Sequence, residues 1–141
     1  MKKNKKSSGF FIIEILIVLV IVGILIIAMM PNFTTYTQRA KFVDVLSAAD
    51  AVRPSVDACI LFTGTLTNCN TGSYGIPNTP GAAGNFQSYT VAAAVISANS
   101  TSTFGTASPP ASNFTYVLTP TQLNGAVTWA ASGTCQAQGL C

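Results

Sequence analysis

Hydrophobic and polar positions along the chain fall into three patterns. Residues 10–30 read FFIIEILIVLVIVGILIIAMM, apolar at every position except Glu14, with Gly23 the other weak helix former. At about 1.5 Å of rise per residue, such a run spans the ~30 Å hydrocarbon core of a bilayer. After Pro31 the pattern turns amphipathic. Phe33, Tyr36, Ala40, Val43, Leu46, Ala49, Val52 and Val56 recur at spacings of three and four, which predicts a helix burying one face against the C-terminal part of the chain. Pro31 lacks an N–H donor and crowds the preceding turn, so a kink is expected there, with Gly23 weakening the same stretch and Pro54 adding a second bend.

From residue 64 the chain is rich in Gly, Ser, Thr, Asn and Pro, with strand-like patches at 88–97, 113–119 and 126–131. Alternation is clearest in the second patch. Phe114, Tyr116 and Leu118 share one face, and Thr115 and Val117 take the other. Val127 and Trp129 continue the pattern in the third. So short a segment builds no self-sufficient core, and the helix has to be part of it. The predicted class is α+β: a long N-terminal α-helix, its first half transmembrane, packed against a small antiparallel β-sheet. The stretch 98–111 reads as an exposed loop.

Charge sharpens this picture. The formal net charge of +3 is unevenly spread. Lys2, Lys3, Lys5 and Lys6 precede the apolar run; from Phe10 onward Arg39, Lys41 and Arg53 stand against Glu14, Asp44, Asp50 and Asp57, a balance of −1. The four lysines set the orientation by the positive-inside rule, with residues 1–9 cytoplasmic and the C-terminus outside. No charged side chain follows Asp57, and there is no His. General acid–base catalysis needs a titratable group and metal sites need His, thiolate or carboxylate ligands. A basic groove for nucleic acid is equally unsupported in residues 58–141. The sequence therefore points away from an enzyme, and no cofactor or metal is implied.

The apolar run is too long for the hydrophobic region of a secretory signal peptide, and no A-x-A site comes after it. A plain signal anchor leaves two details unused: Ser7-Ser8-Gly9 directly before the run, and Glu14 at its fifth position. A carboxylate at mid-bilayer costs about 2.5–3.5 kcal/mol, less toward the interface, and is a functional hypothesis by default. A cut between Gly9 and Phe10 would create an α-amino group one helical turn from Glu14. In a staggered bundle of copies, that amine meets Glu14 of a neighbour.

The lysine-rich leader, Gly9, then Phe10-Phe11-Ile12-Ile13-Glu14-Ile15-Leu16 and an apolar run ending at Pro31 resemble the class III signal of type IV pilins, and the short leader with Phe10 resembles the type IVa subgroup. The resemblance implies that prepilin peptidase cuts after Gly9, that Phe10 becomes the N-methylated first residue, that Glu14 guides subunit docking, and that Gly23 and Pro31 mark a stretch able to lose regular helix. It implies a leader at 1–9, a transmembrane and polymerisation half at 10–30, an amphipathic half at 31–62 and a head at 63–141. Implied partners are identical subunits, the peptidase, the assembly machinery of the inner membrane, and the membrane before assembly. The expected location is the bacterial inner membrane, then an extracellular pilus.

Four Cys in an exported chain predict two disulfides, for which three connectivities exist. The close pairs, Cys59 with Cys69 and Cys135 with Cys141, are preferred. With no C-x-x-C spacing and no His, a redox or metal cluster is disfavoured. The second pair resembles the disulfide-bounded C-terminal region of pilins, but encloses only residues 136–140, which favours pinning the sheet over adhesion. Asn32, Asn99 and Asn113 begin N-x-S/T triplets, a short and common match.

The leading expectation is thus a pilus subunit, a major pilin, serving adhesion, twitching motility or DNA uptake. One alternative is a pseudopilin of a type II secretion system. Major pseudopilins carry a carboxylate-built calcium site in the C-terminal region, and this chain has no carboxylate side chain after Asp57. Another is a minor pilin acting as DNA receptor or tip adhesin. A DNA receptor wants a basic patch on its head, and here Arg39, Lys41 and Arg53 all lie in the helical region.

Overall fold

The computed structural model describes residues 8–101 and 113–141, with the side chains of 8–10 and 30–35 left undescribed. The lysine-rich part of the leader and most of the predicted loop at 98–111 lie outside the described residues. The chain divides into two compact units, Met1–Thr37 and Gln38–Cys141. One helix, α1 (Ser8–Thr63), is assigned without a break through Gly23 and Pro31. It ends at Gly64, whose N–H bonds the Ile60 carbonyl at 2.8 Å, while the Thr63 hydroxyl bonds that of Cys59 at 2.8 Å.

In the first unit, Phe11–Met29 is long and apolar enough to cross a membrane, and none of it is buried. In the second unit, α1 packs against four strands: β1 (Phe86–Ala92), β2 (Val95–Ser100), β3 (Thr115–Leu123) and β4 (Ala126–Ser132). They form one antiparallel sheet in the order β1-β2-β3-β4. A short helix, α2 (Thr134–Ala137), comes last.

The core lies between α1 and one sheet face. Phe42, Val45, Ala49, Val52, Val56, Cys59 and Ile60 enter it from the helix, and Tyr89, Ile96, Phe114, Tyr116 and Leu118 from the sheet side. Val127 and Trp129 are partly buried against it. The opposite face is uncharged, with Thr90, Thr119, Thr121 and Thr128 exposed.

Three expectations are corrected. The helical stripe is displaced in its first half, where Tyr36 and Val43 are 69% and 55% exposed. Phe42 and Val45 occupy the core face instead. Apolar residues recur helically on two faces of this segment, and only the docked sheet selects between them. Next, 88–97 is not one strand. Ala93 and Ala94 both take positive φ, 47° and 65°, and fold it into a two-residue hairpin between β1 and β2. Left-handed backbone costs an L-residue about 1–2 kcal/mol, so outside help is needed. The Asn70 side-chain oxygen accepts from the Ala93 N–H at 2.9 Å, and the Cys69 carbonyl from the Ala94 N–H at 2.8 Å. Finally, the predicted loop starts late, because β2 continues to Ser100.

Between β3 and β4 lies Asn124-Gly125, both at positive φ, the strongest short hairpin signal a sequence carries. Pro120 sits inside β3 opposite Trp129, beyond the last pairing with β2 at Leu118. Its missing donor therefore leaves no ladder position unfilled.

Candidate assembly site

Residues 11–29 present a continuous apolar surface: Phe11, Ile12, Ile13, Ile15, Leu16, Ile17 and Val18 are all about half or more exposed, and the pattern continues to Met29. A helix that is apolar all round belongs in lipid or among other helices. Glu14 lies in this surface, exposed among apolar neighbours. Gly9 and Phe10 occupy the first turn of α1 in backbone, their side chains lying outside the described set. Gly23 is helical with open space around it, and Pro31 is helical in backbone.

The head is fastened at two ends. Cys59 and Cys69 form a disulfide with Cα atoms 5.8 Å apart, which joins the end of α1 to the next loop. That loop lies along the edge strand β1. Thr71 N–H bonds the Val91 carbonyl at 3.0 Å, and Val91 N–H bonds the Thr71 hydroxyl at 2.7 Å. Tyr89 N–H bonds the Thr79 hydroxyl at 3.0 Å, and the Tyr89 hydroxyl lies 3.1 Å from the carbonyls of both Pro77 and Asn78. Burial raises the Tyr89 pKa above its ordinary value. The loop thus covers an edge that would otherwise offer itself for strand addition.

At the other end Cys135 and Cys141 are joined, with Cα atoms 5.5 Å apart. The Leu140 N–H bonds the Cys135 carbonyl at 2.9 Å and the Leu140 side chain is buried. Arg39 Nε of α1 donates to the Gly139 carbonyl, which ties the C-terminal ring to the helix.

Along α1 runs a charged flank that sequence reasoning did not assemble. Arg53 pairs with Asp50 at 3.2 Å and lies over the Trp129 ring, 5.4 Å from its centroid. Trp129 Nε1–H donates to Asp57 Oδ1 at 3.0 Å. Nearby, burial raises the Tyr116 pKa, Asp50 adds to the rise and Arg53 opposes it. The helical spacing of Asp50, Arg53 and Asp57 was the available signal; the partner strand was not. On another flank, Asp44 accepts from Asn85 through the backbone N–H at 3.2 Å and the side-chain amide at 2.9 Å.

A sheet packed on the second half of a long helix, with two disulfides clamping loop and C-terminus, lies, but for Cys141, within the stretch that matches a known family profile. Residues 38–140 fit Pilin (bacterial filament). The chain belongs to the pilin family. The match covers most of the second half of α1 and the head, whereas the N-terminal resemblance rests on residues 2–31, so two separate stretches point the same way. Relatives of this pilin include the type IV pilus subunit protein TapA of Aeromonas hydrophila, 39% identical over 80 residues, which is 57% of this chain and 56% of TapA. Prepilin peptidase-dependent protein D of Escherichia coli K12 is 36% identical over 73 residues, 52% of this chain and 50% of that protein. A type IV major fimbrial protein FimA of Dichelobacter nodosus is 33% identical over 55 residues, 39% of this chain and 35% of FimA. The pilin spans about half the length of the first two relatives.

Proposed function

We propose that this pilin is the structural, non-catalytic subunit of a type IV pilus of the type IVa subgroup, held in the inner membrane as a single-pass precursor and assembled through α1. The observation carrying the reading is the uncovered apolar surface of Phe11–Met29 in a chain whose head is a pilin head. Each large apolar side chain moved from water into apolar surroundings contributes about 1.5–3 kcal/mol. That surface therefore rests in lipid first and among neighbouring helices afterwards.

In this reading residues 1–9 are removed by prepilin peptidase after Gly9, Phe10 is N-methylated, and Glu14 docks against the amine of a neighbouring Phe10. Residues 10–30 form the polymerisation segment, bending at Gly23 and Pro31 where needed. Residues 31–62 carry the head, and 63–141 form it. The subunit is the major pilin, and the filament serves adhesion or twitching motility. DNA uptake draws less support, because no Lys or Arg follows Arg53. A pseudopilin role is disfavoured by the absence of carboxylate side chains after Asp57.

Electron microscopy of sheared surface filaments, with mass spectrometry of their main component, tests the reading. The expected component is this chain, beginning at a methylated Phe10. A filament component that still begins at Met1, or filaments built of another protein, would refute it. Substitution of Gly9 should block processing.

A further inference from the structure

The pilus reading leaves open how one head meets the next, and the charges of α1 bear on it. No charged side chain follows Asp57. All the fixed side-chain charge of the head unit therefore sits on one helix, between Arg39 and Asp57. Most of it is engaged within the subunit. Arg39 bonds the Gly139 carbonyl, Asp44 bonds Asn85, and Arg53 pairs with Asp50 while covering Trp129. Asp50 and Asp57 share one flank of the helix with the single guanidinium of Arg53, which pairs with Asp50. The hydrogen bond from Trp129 orients Asp57 without neutralising it. Lys41 is exposed, and the one ion pair found among the described residues is Arg53–Asp50. Lys41 on one side of the helix and Asp57 on the other are thus charged groups outside the one ion pair found among the described residues.

Their positions are complementary. On an α-helix Asp50 lies about 180° around and about 14 Å along from Lys41, and Asp57 about 160° around and about 24 Å along. The two groups flank the face that Phe42, Val45, Ala49 and Val56 bury against the sheet. Copies in a filament related by rotation and translation meet through heterologous contacts, one patch of a subunit against a different patch of the next. Opposite flanks at different heights are what such a contact requires.

Resting on the pilus reading above, we propose that Lys41 of each subunit pairs with the Asp50–Asp57 flank of a laterally adjacent copy, so that the second half of α1 sets the axial register of the heads. An exposed pair is weak singly, but it recurs at every subunit. It also leaves the internal bonds of Asp50 to Arg53 and of Asp57 to Trp129 in place.

Lys41 is the only lysine from Phe10 onward, which makes the contact directly readable. Sheared wild-type filaments treated with a water-soluble carbodiimide should yield an amide joining Lys41 Nζ to the carboxyl of Asp50 or Asp57, found by mass spectrometry after digestion. A link to Asp57 has to be between copies, because the two lie about 24 Å apart on their own helix. Lys41→Glu should lower sheared-filament yield at least tenfold at unchanged precursor level. Adding Asp57→Lys should restore it, with Trp129 fluorescence confirming the head is folded. Lys41 left unlinked or linked only to Asp44, or Lys41→Glu filaments as abundant as wild type, would overturn the contact alone. Absence of wild-type filaments containing this chain would overturn the pilus reading beneath it.

Discussion

Replacing Cys59 and Cys69 by alanine should destabilise the head by about 2.7 kcal/mol, from the loop-closure entropy restored to the unfolded chain at a sequence separation of 10. The folded state adds to the effect. The Cys69 carbonyl and the Asn70 side chain hold the N–H groups of the turn at Ala94 and Ala93. That turn stores about 1–2 kcal/mol of left-handed strain per residue. Once the loop is loosened, the strain is opposed by less. For a domain of this size, 1 kcal/mol corresponds to about 4–8 °C, so a drop of about 10–20 °C in Tm is expected. The chain has a single Trp, and Trp129 is wedged between Arg53 and the Asp57 carboxylate. Its fluorescence in detergent-solubilised protein reports head unfolding apart from the membrane helix. Removing the pair Cys135 and Cys141, at a separation of 6, should have a smaller effect of about 2.2 kcal/mol. A Tm change below about 5 °C for the first pair, or the reverse ranking, would refute the reasoning. The loop would then be held by packing and hydrogen bonds alone.

Glu14→Val should act in opposite directions on two readouts: firmer retention of the processed protein in the membrane, because the costly carboxylate is gone, and loss of filaments in shearing assays. Gly133→Ala should destabilise the head by about 3 kcal/mol or more, visible in the Trp129 transition. Gly133 has φ 125°, and a Cβ there would lie 2.3 Å from the Thr115 carbonyl oxygen. Ala93→Asn should stabilise by about 0.5–1 kcal/mol in the same assay, since Asn tolerates the left-handed conformation that Ala93 holds. Stability should also fall above about pH 10. Burial raises the pKa of Tyr89 and Tyr116 above the unfolded value of 10.0. Their contribution is thus complete below that value and lost as pH climbs toward the folded pKa. Tyr89→Phe should flatten the decline in a pH series of melting curves.

Much of the molecule was legible before folding because its information is local. The apolar run with Glu14 needs no partner to be recognised. Neither does the alternation of Phe114, Tyr116 and Leu118, which lie buried on the core side. The missing charge beyond Asp57 constrained the class of function from composition alone. The turn at Ala93-Ala94 was illegible, since alanine carries no turn signal and its strain is countered by Cys69 and Asn70, more than twenty positions earlier in the chain.

The sequence by itself determined that there is one membrane-length helix, a small uncharged sheet-bearing head and a carboxylate placed where lipid makes it expensive. Periodicity, charge and hydropathy act between near neighbours, so they survive without a fold. Tertiary structure alone decided which of two apolar faces of residues 36–60 becomes core. It also decided that Arg53 and Asp57 of α1 meet Trp129 of β4, and that Arg39 reaches the C-terminal ring. Each of these depends on residues far apart in the chain, and only the docked sheet brings them within bonding distance.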